Sequence, residues 1–479
     1  MKYLIQKMYG KPLYGATMVK AHQGRMQGFL FLVLILNIAG CTDFVDVDPP
    51  KNTLVSKTVF DDASTVESAM ANLYFGMREQ GMVSGTNGVT PVLGIYGDEL
   101  DYYGFSADLI QLYQNDVLAG NGITTNWWRR AYHLVYGAND IIRGVEASEA
   151  LATDEKNKFL GQALFVRAYL HSQLVLAFGD VPYITATDYR ANGKVSRMPA
   201  SEVYSHIISD LTEAADALDG IDFTSSERVL ADLDVVKALL ARIYLYEEEW
   251  EIAASLATDL IHSRSLENDL DKVFLKDSQE TIWQLKADTE FPLNTREGEQ
   301  LIISSIPGQS YALTEDLLTA FETDDMRKDH WVGSMSDLDN TITLYFAHKY
   351  KADINETESL EYSILFRLAE QYLIRAEARV HLGNLAGSQA DLNAIRGRAG
   401  LPETSANTQD ELLGAILQER RVELFTEQGL RWFDLQRTGM ADQVMSALKP
   451  NWQATDVLLP IPESELEANP KLLPQNNGY

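Results

Sequence analysis

The side chains in this 479-residue sequence best suited to holding a ligand are aromatic and acidic, and they crowd into one stretch: Tyr96, Asp98, Asp101, Tyr102, Tyr103 and Phe105. Flat ring faces pack against the C–H side of a pyranose, and planar polar groups bridge neighbouring hydroxyls, so the cluster suits a polyhydroxylated ligand. Asp98, Tyr102 and Tyr103 are the candidates from this stretch. Tyr311 and Trp331 are candidate rings from a second irregular region, which also carries Phe291 and Arg296. The competing reading is that these rings pin loops onto a frame. Trp127 and Trp128 fall on a helical apolar face and Trp283 in a strand-like run, so all three read as core.

The signatures of several other chemistries are missing. There is no Gly-x-x-x-x-Gly-Lys-Ser/Thr, no His-Glu-x-x-His and no Gly-x-Ser-x-Gly, and the eight histidines are scattered singly. Asp337, Asp339 and Asn340 lack the glycine and distal glutamate of a calcium-binding loop and read as a solvated turn. In so acidic a chain no carboxylate pair stands out for glycoside hydrolysis. The sequence therefore predicts no catalytic residue, no metal ligand and no cofactor.

The formal net charge is −29, and residues 1–40 carry basic side chains but no acid, so the remainder is more acidic still. Such a surface repels phosphate backbones, which excludes nucleic acid as a partner. Lys2, Lys7, Lys11, Lys20 and Arg25 precede an apolar run from Gly28 to Ala39 that is too short to span a bilayer, and Gly40 leads into the sole cysteine, Cys41. That order predicts a lipoprotein signal peptide over 1–40, with Cys41 as the acylated new N-terminus. Residues 41–57 follow as a tether that Pro49 and Pro50 keep extended. No later apolar run is long enough to span, so the body is expected to hang in water from a membrane.

Helical spacing predicts a helix over 61–78, an irregular stretch over 80–122 with a short helix near 109–113, and helices from Trp127, over 154–178, 201–218, 235–246 and 250–263. Ala241, Tyr244, Trp250, Ala253 and Ala257 match the small and large positions of a tetratricopeptide hairpin. A second instance begins at Tyr362, with Ala376, Gly383, Leu385, Ser388 and Leu392. Between 277 and 351 lie strand-like pieces, Thr281–Leu285 and Thr341–Phe346, and the proline-rich tail over 457–479 reads as an extended strap. The expected fold class is mainly α: tetratricopeptide-like helical hairpins form a scaffold, with a loop-rich region containing short β-hairpins. One domain is expected over 58–479, with halves at about 58–270 and 271–479.

Arg420 and Arg421 interrupt the apolar stripe of Leu412, Ile416, Leu424 and Phe425, and Glu423 and Glu427 are the expected partners in a structural ion network. The stretch from Ile416 to Gly439 resembles the C-terminal signature of the SusD/RagB family of surface lipoproteins of the Bacteroidota. Phe165–Tyr169 with Phe178–Tyr183, Asp391–Gly400, Leu458–Glu463 and Gln475–Tyr479 are similar to further family motifs, although Asn477 stands where proline is usual. Asp43, Asp46 and Asp48 after Cys41 resemble the family's acidic export signal.

The resemblance implies a SusD-like fold with the 80–122 segment on its ligand face. It also implies oligosaccharide binding without cleavage, at the cell surface, as the lid of a SusC-type TonB-dependent outer-membrane transporter. The alternatives are a peptide or other nutrient as cargo, or a tetratricopeptide scaffold for partner proteins.

Overall fold

Most of the chain is helical because apolar residues recur at helical spacing between well-placed end signals. The structure, a computed structural model, describes residues 59–223, 226–287 and 293–479. The expected signal peptide, the expected tether with Cys41, and Phe291 lie outside the described residues.

Helix α1 (Ala63–Glu79) starts at Asp62, whose carboxylate accepts the Ser64 N–H at 2.8 Å, and buries Val66, Met70, Leu73 and Met77. α2 (Val89–Tyr96), β1 (Leu100–Tyr102) and α3 (Ala107–Gln114) follow. α2 corrects the expectation of irregular chain there. All eight of its residues are buried, so it has no polar face from which a helical period could be read. The long helices α4 (Gly122–Ala147) and α5 (Thr153–Phe178) pack together, the short α6 (Tyr189–Asn192) sits in the loop beyond, and α7 (Ala200–Leu218) lies against α5.

The first predicted hairpin is α8 (Leu233–Tyr246) with α9 (Trp250–Ser263). Ala241, Ala253 and Ala257 are fully buried where the two helices meet. After β2 (Thr281–Leu285), α10 (Arg296–Leu301), β3 (Tyr311–Leu313), α11 (Glu315–Ala320), α12 (Met326–Trp331), β4 (Val332–Ser336), β5 (Thr343–Ala347) and β6 (Ser363–Arg367), the second hairpin is α13 (Leu368–His381) with α14 (Leu385–Arg398). α9 packs on α13, so the two hairpins stack, and α15 (Gln409–Glu423) continues the stack against α13. Buried Ala376, Ser388 and Leu392 make the close approach possible.

The helical frame was expected to resume at Tyr362, but Ser363–Arg367 is a strand pairing antiparallel with β2. Its run of Ile364, Leu365 and Phe366 is buried on both faces, which leaves no alternation to separate strand from helix. The other two-stranded ribbons are β1 with β3 and β4 with β5, both antiparallel.

α16 (Leu430–Arg437), α17 (Ala441–Leu448) and α18 (Glu463–Ala468) lead into the strap. The strap is less extended than expected, since α18 and a 3-10 turn over Pro470–Leu472 interrupt it. It is stitched to elements far back in the chain. Leu459 N–H donates to Ala177 O at 2.9 Å, Glu463 N–H to Ala119 O at 2.9 Å, and Asn476 Nδ2 to Phe178 O at 2.9 Å.

Where α12, β6, α14 and α15 converge, charges are sealed inside. Glu423 accepts from Arg327 at 2.9 Å, from Arg367 at 2.5 Å and from Arg398. Glu280, Glu419, Glu427, Asp325 and Lys349 complete the cluster. The expected ion network is present, but Arg420 pairs with Asp434 at 2.6 Å rather than with Glu423, which points to partners distant in sequence.

Burial pushes the Glu423 carboxyl up, but the charges of Arg398, Arg367 and Arg327 outweigh it and hold the group well below the usual carboxylate range. A folded-state value below the unfolded one contributes stability that is whole above the ordinary value of 4.5 and is lost as pH falls towards the folded value. Urea unfolding followed across pH is therefore expected to show a midpoint that declines below about pH 5. Glu423→Gln is expected to cost about 3–5 kcal/mol at pH 7 and to make the acid-side decline shallower.

Candidate ligand-binding site

The irregular stretch singled out in the sequence is ordered by pairing with a segment some two hundred residues later. β1 runs antiparallel to β3 with Tyr102 opposite Tyr311, their ring centroids 5.5 Å apart, and Tyr103 N–H extends the ladder to Ser310 O at 2.9 Å. The loop after β1 then folds back on itself. Tyr102 Oη accepts the Ser106 N–H at 3.1 Å, and a Cβ at Gly104 would fall 2.3 Å from that same oxygen, so a side chain there would have to push the Tyr102 ring aside.

The result is a held turn that turns aromatic faces outward. Tyr103 is 41 % exposed and Phe105 is 97 % exposed. A phenylalanine that open has no packing role, and it was legible only as part of the aromatic run, because Gly104 and Ser106 on either side give no period. Beneath the turn, Tyr113 Oη donates to Asp101 Oδ1 at 2.8 Å, and the Lys449 ammonium stands 4.1 Å from the Tyr113 ring centroid. Beside Tyr311 lies a polar depression of about 250 Å³, walled by Glu299, Gln300, Ser304, Ser305 and Gln309. The depression offers amide, hydroxyl and carboxylate groups, and the turn with the exposed rings joins its edge through the Tyr103–Ser310 backbone hydrogen bond.

The other candidates have different positions. Asp98 is buried, with its carboxylate taken up by Arg431 at 2.7 and 2.9 Å and by Arg421 at 3.0 Å. Burial pushes that carboxyl up, but the Arg431 hydrogen bonds and both guanidinium charges hold it below the usual carboxylate range. Asp98 fastens β1 to α15 and α16, which corrects its expected role as a ligand contact. Its neighbour Glu99 is pushed up to about 7 by burial and by the Asp98 charge, and accepts the Thr426 N–H at 3.0 Å.

Trp331 is also corrected. It is fully buried, donates from Nε1 to Leu270 O at 2.9 Å, and lies 5.0 Å from the Lys349 ammonium and 5.8 Å from the Arg367 and Arg398 guanidinium carbons. Its ring face serves the internal cations and offers no stacking surface. Tyr311 is buried apart from its edge on the depression, so it backs Tyr102 rather than presenting a face. Arg296 is held by Glu79 at 3.1 Å and Glu299 at 2.6 Å. Tyr96 is core, donating to Asp456 O at 2.6 Å, and Trp127, Trp128 and Trp283 are buried as expected. No group of three or more side chains suited to a metal ion occurs among the described residues.

A SusD family model matches residues 319–479, and a second model, described as "starch-binding associating with outer membrane", matches residues 43–245. The chain belongs to the SusD/RagB family. SusD-like protein P2 of Formosa agariphila is 28 % identical over 94 % of this chain and 99 % of its own length. A SusD superfamily protein from Bacteroides vulgatus superposes with a TM-score of 0.77 at 22 % identity, covering 88 % of this chain and all of that one. A laminarin-binding SusD-like protein does so with a TM-score of 0.73 at 23 % identity, covering 87 % and 99 %. Among the described residues no helix is long and apolar enough to cross a membrane.

Asp98 and Tyr103 separate cleanly by stability. Asp98→Ala leaves Arg431 without its carboxylate and Arg421 with Asp316 alone, and is expected to cost about 3–5 kcal/mol, whereas Tyr103→Ala is expected to stay within about 0.5 kcal/mol of wild type. Thermal denaturation of the two variants side by side measures this.

Proposed function

We propose that this SusD/RagB protein captures oligosaccharide without cleaving it, on the surface around Tyr102, Tyr103 and Phe105. It acts from the outer face of the outer membrane, held there by lipid on Cys41, as the lid of a SusC-type TonB-dependent transporter. The observation that carries the reading is the pair of exposed rings on the turn after β1, fixed by Gly104 and the Ser106–Tyr102 hydrogen bond, beside a depression lined with hydroxyls and amides. A sugar needs apolar faces for its C–H side and hydrogen-bonding groups for its rim, and this surface offers both without reorganisation. The family models and the laminarin-binding relative are in keeping with a glycan. Capture without cleavage is in keeping with the carboxylates nearby: Asp98 is locked between arginines, Glu99 is buried, Asp101 holds the Tyr113 hydroxyl and Glu299 pairs with Arg296.

Titration calorimetry of the purified protein against neutral and acidic oligosaccharides is expected to find one class that binds, with Tyr103→Ala and Phe105→Ala each weakening it by about tenfold. Binding indifferent to both substitutions removes the site from this surface. Release of reducing ends during the titration refutes capture without cleavage.

A further inference from the structure

A second set of outward-facing rings lies away from the turn after β1 and shares no residue with it. On α4, Trp128, Tyr132 and Tyr136 follow one another at four-residue spacing and so line one helix face. The ladder climbs from the interior to solvent. Trp128 is buried against Phe178, centroids 5.3 Å apart, and Tyr132 packs at a tilt, 5.0 Å from Trp128, and donates its hydroxyl to Pro182 O at 2.8 Å. Tyr136 is 43 % exposed.

Across a groove of about 380 Å³, at the lower end of the usual size for ligand pockets, stands Tyr189 with 70 % of its surface exposed. The short helix that carries this ring is held at both ends. Asp188 caps α6 by accepting the Arg190 and Ala191 N–H groups at 2.9 and 3.2 Å, and Asn192 Nδ2 donates to Ala186 O at 2.7 Å. The floor is apolar, supplied by Ile184, Val195 and Leu472. At the rim, Arg129 donates from Nε to Glu465 at 2.9 Å and from Nη2 to Ser464 at 3.0 Å, so the two charges cancel.

The geometry points to this α4–α6 groove as a second binding site for a neutral oligosaccharide, gripped between Tyr136 and Tyr189. The inference rests on the glycan-binding reading above. Two ordered rings facing a shared groove provide stacking surfaces, and the coupled guanidinium and carboxylate of Arg129 and Glu465 provide planar donors and acceptors for hydroxyls while presenting no net charge. The Arg190 guanidinium stands 5.6 Å from the Tyr189 ring centroid, while the chain's net charge of −29 repels an acidic glycan from the surface as a whole. A second contact on the same polysaccharide raises the effective concentration of chain at the first.

The test is calorimetric titration of the purified protein with laminarihexaose, cellohexaose, maltohexaose, xylohexaose and hexagalacturonate, using wild type, Tyr136→Ala/Tyr189→Ala, Tyr103→Ala/Phe105→Ala and Tyr189→Trp. The expected result is two sites on wild type for one neutral hexasaccharide. Tyr136→Ala/Tyr189→Ala removes one and Tyr103→Ala/Phe105→Ala the other, each by tenfold or more, at unchanged thermal midpoints, while Tyr189→Trp keeps both. Loss of binding only in Tyr136→Ala/Tyr189→Ala supports the groove and moves the principal site to it. A single site untouched by Tyr136→Ala/Tyr189→Ala overturns the groove and leaves the first reading standing. Tighter binding of hexagalacturonate than of the neutral sugars at the groove overturns its ligand class, and absence of binding by wild type to every sugar overturns both readings.

Discussion

Three arginines and a carboxylate that water cannot reach hold α12, β6, α14 and α15 in register. Glu423 comes from the last turn of α15, Arg327 from α12, Arg367 from the end of β6 and Arg398 from the end of α14. Each guanidinium finds further acids in Glu280, Glu419, Glu427 or Asp325. Charges in such surroundings are tolerated only when every partner is present with good geometry, so the four elements have one permitted arrangement rather than a continuum of packings. Trp331 completes the arrangement by lending its face to the cations.

The same logic extends outward to the proposed ligand surface. Asp98 is clamped by Arg421 and Arg431, and Thr314 donates its N–H to Glu99 O and its hydroxyl to Asp98 O, so the root of β1 is tied to the helices that carry the ion cluster. The rings of Tyr103 and Phe105 are therefore displayed from an anchored strand, which lowers the entropy that ordering a loop would cost a ligand bound there.

How far the sequence could be read follows from the range of each interaction. The hairpins α8–α9 and α13–α14 were legible because their contacts recur at short spacing: Ala241 with Ala253 and Ala257, Ala376 with Ser388 and Leu392. The location of the aromatic surface was legible from composition alone. Which rings face solvent was not, because burial depends on partners hundreds of positions away. Tyr311 is covered through pairing with β1, Trp331 through Leu270 and three cations, and Asp98 through Arg421 and Arg431. α2 and β6 escaped for a complementary reason, since segments buried on every side carry no period. The partner of Arg420 was misassigned to Glu423 because helical spacing favours a neighbour, while Asp434 is reached only once α16 folds back.

The strap has a bearing on the order of events in synthesis. Asn476 bridges Phe178 O and Leu459 O, and Leu459 in turn covers the end of α5, so helices made early are sealed by residues made almost three hundred positions later. Contacts of that sequence separation form late and slowly. Until residue 476 has left the ribosome, the Phe178 carbonyl at the end of α5 lacks the partner it has in the folded protein. Late sealing of this kind keeps a polypeptide threadable, the condition required of any chain that must pass a narrow translocation channel before it folds.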